Sequence, residues 1–218
     1  MIKACIFDLD GTLTDTLESL VYSVKKTLEE VGLPAISREQ CQSFVGNGAR
    51  KLVEDSIRAA GDTDLSKIDQ AMDAYRRIFD MHCTYHVTSY EGIIDLLKEL
   101  KVRGIKTAVL SNKPHMQTVK VVEEILGNEL IDLACGQKDS IARKPAPDGM
   151  FAIMDSFGVK PQECLYIGDS EVDAVTGANA GVQTVCVTWG FRSEEELRNA
   201  GAENLINKAE ELLKYLIQ

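Results

Sequence analysis

The stretch IFDLDGTLTDT, residues 6–16, decides how the chain is read. Residues 2–7 form a short apolar run, followed by Gly11 four positions on, and read as a buried strand. Asp8, Asp10 and Asp15 crowd the exit of that strand, interleaved with Gly11, Thr12, Thr14 and Thr16. Carboxylates repel one another. A strand tip that bears three of them is either a solvated turn or a site built around a cation.

Beyond this tip the chain reads as helical. Leu17, Leu20, Val21, Val24, Leu28 and Val31 recur at helical spacing behind Asp15, a candidate helix cap, and Gly32-Leu33-Pro34 stops the run. Ser37 and Gln40 have capping-box spacing for a second helix. A third follows Gly48, and a fourth carries the stripe Leu65, Ile68, Met72, Tyr75 and Phe79. From about residue 91 the pattern alternates. A helix over 91–103 leads to a strand over 105–110, then a helix over 114–126 and an apolar run at 131–135. A helix over 147–157, a strand over 164–167, a helix over 171–180, the strand 184–187 and a final amphipathic helix follow. Alternation of this kind predicts an α/β protein with a doubly wound parallel sheet. The expected organisation is a core of residues 1–15 and 87–218, with an all-helical insertion over 16–86.

Composition narrows the function. The chain has 218 residues and a formal net charge of −10, which argues against a generic nucleic-acid binder. A local cation can still attract a small anionic substrate. No run approaches the roughly 18 apolar residues of a membrane span, and the amino terminus does not read as a leader. The six cysteines, at 5, 41, 83, 135, 164 and 186, include no Cys-x-x-Cys pair and predict a reducing, cytoplasmic setting. His82 and His86 share an i, i+4 spacing but lack a third ligand and read as ordinary residues of a domain junction. His115 reads as a helix-start residue, and Trp189-Gly190-Phe191 as the core edge or a loop near the insertion.

Ligands of an open parallel sheet bind at the carboxyl ends of its strands. Strand one ends in Asp8-Leu9-Asp10-Gly11-Thr12, and the strand at 105–110 in Ser111-Asn112-Lys113. The run at 131–135 is followed by Arg143-Lys144-Pro145, and the strand at 164–167 by Gly168-Asp169-Ser170-Glu171-Val172-Asp173. Acids, a hydroxyl and a lysine therefore converge on one edge. Carboxylates without competing thiols or imidazoles suit a hard cation, most naturally Mg²⁺, with room left for a phosphate oxygen. A lysine and a hydroxyl beside it would grip the remaining phosphoryl oxygens.

These four stretches, present in order, resemble the motifs of the haloacid dehalogenase-like superfamily, and of its phosphatases with a helical cap inserted after the first motif. The resemblance implies a Rossmann-like core and gives each residue a role. Asp8 is the nucleophile that forms an aspartyl-phosphate, and Asp10 protonates the leaving oxygen and then activates water. Mg²⁺ is held by Asp8, the main-chain carbonyl of Asp10, and Asp169. Ser111, with Asn112, binds the phosphoryl group, Lys144 offsets charge on Asp8 and phosphate, and Asp173 orients Lys144 or a metal-bound water. The segment Phe44-Val45-Gly46-Asn47-Gly48-Ala49-Arg50-Lys51-Leu52 is similar to the cap segment of bacterial phosphoglycolate phosphatases. By that likeness Gly46 approaches a small substrate and Arg50 meets its carboxylate. The same residues also suit a plain interhelical turn and a solvated helix face. The expected activity is hydrolysis of a small phosphate monoester, with phosphoglycolate as the first candidate. A phosphomutase or pyrophosphatase on the same scaffold, or a phospho-receiver module, are the alternatives.

Overall fold

All four residues of strand β1 (Ala4–Phe7) are buried: Ala4 and Ile6 pack into one apolar layer, Cys5 and Phe7 into another. A strand covered on both faces has no need of alternating polarity, which is why its sequence is one apolar run. The structure, a computed structural model, describes residues 1–216. Along the chain follow β2 (Thr14–Asp15), α1 (Leu17–Glu30), α2 (Arg38–Ser43), α3 (Gly48–Ala59), α4 (Ile68–His82), β3 (Thr88–Ser89) and α5 (Ile93–Val102). Then come β4 (Lys106–Pro114), α6 (His115–Val121), β5 (Leu133–Gln137), α7 (Asp148–Phe157), β6 (Cys164–Gly168) and α8 (Glu171–Ala180). The chain continues through β7 (Gln183–Val187), α9 (Glu194–Asn199) and β8 (Leu205–Ile206).

Six of these strands form one parallel sheet in the order β5-β4-β1-β6-β7-β8. The chain builds outward from β1 through β4 and β5, then crosses over to add β6, β7 and β8 on the other side. The switch point falls at β1, and a crevice opens over its carboxyl end. One face of the sheet is covered by Ile93, Leu96, Leu97 and Leu100 of α5 together with Val121, Val122 and Leu212. The other is covered by Met150, Ile153 and Met154 of α7. Helices α1 to α4 hold a separate apolar cluster that includes Leu20, Val24, Leu28, Leu52, Ile57, Met72, Tyr75 and Phe79. On α1 the buried hydroxyls of Ser23 and Thr27 donate to carbonyls four residues back, while Ser19 donates across to Cys83 O after α4. The segment leaves and rejoins the core through a two-residue antiparallel ribbon, in which Thr14 pairs with Ser89 and Asp15 with Thr88. Asp15 Oδ1 also accepts from the N–H of Leu17 at the start of α1.

Three elements differ from expectation. β4 runs four residues further, through Ser111-Asn112-Lys113, all buried, because its polar tip continues the extended backbone where an apolar pattern stops. β5 lies two residues later than the apolar run suggested. The single closing helix is instead α9, the two-residue strand β8 and a 3₁₀ turn over Ala209–Tyr215. Leu205 and Ile206 are too few to give a periodic signal. Among the described residues no helix is long and apolar enough to cross a membrane, and all six cysteines are unpaired.

Candidate active site

Phe7 closes β1 with Val109 on one side and Ile167 on the other. One residue further, the N–H of Asp8 donates to Ile167 O at 2.8 Å, and its carboxylate is buried at the crevice. Lys144 Nζ lies 3.0 Å from Asp8 Oδ1, but off line, so that buried oxygen has an ionic neighbour and no hydrogen-bond donor. The aligned bonds of Lys144 Nζ go to Asp173 Oδ1 at 2.8 Å and to the Tyr166 hydroxyl at 3.0 Å.

Asp173, in the first turn of α8, is fully engaged. Its Oδ1 accepts from Lys144 and from the Tyr166 hydroxyl, the latter at 2.7 Å. Its Oδ2 accepts from Ser170 Oγ at 2.6 Å and from the N–H groups of Asp169 and Ser170. Asp173 thus anchors Lys144 and has little capacity left for anything else. Asp169 accepts from Thr12 Oγ1 at 3.1 Å and from the N–H of Phe191 at 2.8 Å. Gly11, at φ +86°, and Gly190 wall it in, because a Cβ on either would overlap its side chain.

One carboxylate oxygen from each of Asp8, Asp169 and Asp173 lies within 4.8 Å of the others. Three buried acids face the single ammonium of Lys144. Burial raises Asp8, Lys144 pulls it back, and the Asp173 and Asp10 charges push it up again, to about 7. Burial, reinforced by Asp173 and Asp8, drives Asp169 well above the usual carboxylate range. Burial also opposes ionisation of Asp173, but Lys144 and the bonds from Ser170 and Tyr166 together hold it low. Excess negative charge, all-oxygen donors and an orphaned buried oxygen fit a hard metal ion, with Asp8 and Asp169 as the acids free to ligate it.

Asp10 stands apart from this cluster. Its Oδ1 accepts from Thr16 Oγ1 at 2.6 Å and from Lys113 Nζ at 2.7 Å. Ser111 lines the cleft with Asp8 and Asp10, and its Oγ accepts from the N–H of Lys113. Asn112 is used differently from expectation. Its Oδ1 accepts from Lys144 N, and its Nδ2 donates to Lys144 O and, across the cleft, to Gly46 O at 2.9 Å. The amide therefore fixes backbone on both sides of the cleft. Gly46 does line the cleft, at φ +120°.

Arg50 does not reach the inner cleft. It pairs with Glu54 along α3, half-exposed, beside an outer groove, because its position on the helix turns it away from Asp8. The arginine at the inner cleft is Arg192, which pairs with Glu171 and donates to Val45 O at 2.8 Å. The cleft, about 50 Å³, lies between the strand ends and the side chains of Leu20, Leu52, Tyr75 and Phe79.

Sequence reasoning missed Tyr166, Arg192 and the role of Lys113. Lys113 ends one of the quoted motifs and was legible in position, whereas Tyr166 sits mid-strand and Arg192 in a loop without a motif. His82 Nδ1 bonds to Ile78 O within its helix, and His115 Nδ1 accepts from Gly136 N. Trp189 Nε1 donates to Thr12 O at the core edge, and Phe191 packs against the helical cluster.

Residues 5–187 match the family model of the haloacid dehalogenase-like hydrolases. The phosphoglycolate phosphatase of Rhodospirillum rubrum is 34% identical over 212 residues, 93% of this chain and 86% of that protein. That of Pseudomonas putida is 32% identical over 193 residues, 87% of this chain and 70% of that protein. Among solved structures, a protein from Lactobacillus delbrueckii subsp. bulgaricus superposes with a TM-score of 0.89 at 32% identity, covering 98% of both chains.

Proposed function

Because the chain belongs to the haloacid dehalogenase-like hydrolase family, we propose that it is a Mg²⁺-dependent phosphatase of a small organic phosphate monoester, with phosphoglycolate as the leading substrate. The observation that carries this reading is the separation of two carboxylates. Asp8 lines the crevice with its Oδ1 paired to Lys144 at 3.0 Å, while Asp10 is held 2.6–2.7 Å from Thr16 and Lys113. One acid is placed to attack and the other to move a proton.

The phosphoryl group sits over Asp8, with Ser111 Oγ and Lys144 Nζ on its oxygens. Asp8 attacks phosphorus to give an aspartyl-phosphate, and the P–O bond to the leaving group breaks as Asp10 supplies its proton. Asp10 then accepts a proton from water attacking the phosphoenzyme, which returns free Asp8 and phosphate. Tyr166 and Asp173 keep Lys144 in place throughout. Bound at Asp8 and Asp169, with the main-chain carbonyl of Asp10, Mg²⁺ supplies charge neutralisation for the attacking acid and the phosphoryl oxygens. Residues 16–86 act as the cap, and residues 1–15 with 87–218 as the catalytic core, a division favoured by their separate apolar clusters. Six unpaired thiols favour the cytoplasm. The phosphoglycolate phosphatases related to this chain support the choice of substrate.

Asp8→Asn is expected to abolish phosphate release, by at least about 10³-fold, with the fold intact by circular dichroism. Phosphate release should be screened across phosphoglycolate, sugar phosphates, nucleotides and pyrophosphate, with and without EDTA. Undiminished turnover by the variant sinks the mechanism. Preference for sugar phosphates or pyrophosphate sinks the substrate.

A further inference from the structure

Lys113 is an ammonium with almost no exposure, 1% of its side chain, yet it lines the inner cleft. Among the described residues it makes one hydrogen bond, to Asp10 Oδ1 at 2.7 Å. The ring of Phe79 lies 4.9 Å away on its other side, a cation–π contact that holds it without using an acceptor. A lysine has three N–H donors and no acceptor. Donor capacity therefore remains on the cleft side, in a buried position where an unmatched donor is costly.

The other cations near the cleft are committed. Lys144 is bonded to Asp173 and Tyr166, and its remaining donor faces Asp8 and the phosphoryl position, away from the leaving group. Arg192 is divided between Glu171 and the carbonyls of Gln42 and Val45, at 3.5 and 2.8 Å for the latter two. Arg50 is outside. Arg143, in the outer groove, donates to Asn47 O. Among the described residues, only Lys113 combines burial, a place in the inner cleft and donor capacity left over. It also adjoins the acid proposed to protonate the leaving oxygen, so it meets the leaving group and not the phosphoryl group.

We propose that Lys113 is the specificity residue for a carboxylate on the leaving group, which makes phosphate monoesters of 2-hydroxy carboxylates the substrate class. The inference rests on the phosphatase reading given above. In such an ester the carboxylate is attached to the carbon bearing the ester oxygen, so an anion beside Asp10 and an oxygen facing it are presented together. The Phe79 face and the apolar walls at Leu20 and Leu52 keep this pair away from water.

The test compares phosphoglycolate with ethyl phosphate, which has the same chain length and no carboxylate. On the unaltered protein with Mg²⁺, kcat/KM is expected to favour phosphoglycolate by about 30-fold or more, the scale of a buried charge pair. No preference overturns the proposal. Binding is then measured by titration calorimetry in the Asp8→Asn background, with and without Lys113→Met. Lys113→Met should weaken phosphoglycolate at least about 30-fold more than ethyl phosphate. Equal weakening would mean that the lysine only positions Asp10, and this overturns the proposal. Lys113→Gln gives the same comparison if the Met variant does not fold. Discriminating binding in a protein that releases no phosphate from either ester would sink the phosphatase reading and leave carboxylate recognition standing.

Discussion

Asp8 and Asp169 are acids pushed upward by burial, with neighbouring carboxylates adding to the shift, and this has a measurable consequence. An unfolded aspartate titrates near about 4, whereas Asp8 in the folded chain is raised to about 7. Between those values the folded chain retains protons that the unfolded chain has released. Metal-free stability must therefore fall as pH rises through that range, and Asp169 acts with the same sign. In EDTA, the thermal midpoint is expected to be higher near pH 5 than near pH 8, and Mg²⁺ is expected to raise the pH 8 midpoint more than the pH 5 one. A metal-free midpoint that climbs with pH in this range contradicts the charge imbalance. At this scale the acids were legible in sequence because they are adjacent to strand ends and to one another. Tyr166 was not, since nothing local separates a mid-strand tyrosine that packs from one that bridges Lys144 and Asp173.

Elements were legible where their apolar pattern was long. The stripe on α1 appears as read and that on α4 from Ile68 onward, Leu65 lying before the helix at φ +59°; the Ser37–Gln40 capping box forms, with Gln40 N donating to Ser37 Oγ at 3.2 Å and Ser37 N to Gln40 Oε1 at 2.9 Å. Ser37→Ala removes half of that exchange on a six-residue helix. It is expected to cost about 1 kcal/mol, or about 2–4 °C in thermal midpoint for a chain of this size. An unchanged midpoint means that α2 is held by packing alone. Where polar residues carry an extended segment onward, as in β4, or where two residues suffice, as in β8, periodicity has nothing to detect.

At the scale of the whole molecule, the alternation of strands and helices revealed the parallel sheet, but nothing in the sequence revealed how the helical layer is held over it. Gln117 and Lys120 reach Asp80 of α4, and Phe191 packs into the helical cluster, but over the cleft the hold comes from carbonyls on one short segment. Arg192 donates to Val45 O, Asn112 to Gly46 O and Arg143 to Asn47 O, while Gln42 Nε2 donates back to Phe191 O. Arg192 and Val45 are 147 positions apart, and a backbone acceptor leaves no mark on residue identity. Arg192→Ala is expected to raise amide exchange over residues 42–48 by about tenfold or more while β1 stays protected. Unchanged exchange there would show that apolar contacts alone close the cleft.

The ribbon of β2 and β3 constrains the form that any opening takes. The helical layer is joined to the sheet by two covalent crossings, and those crossings are paired with each other, Thr14 to Ser89 and Asp15 to Thr88. Two independent tethers would permit sliding and twisting as well as tilting. Two tethers laced side by side behave as a single strip hinge, stiff to shear and to torsion, with one soft direction of bending. Any change in the space above Asp8 then reduces to one angle.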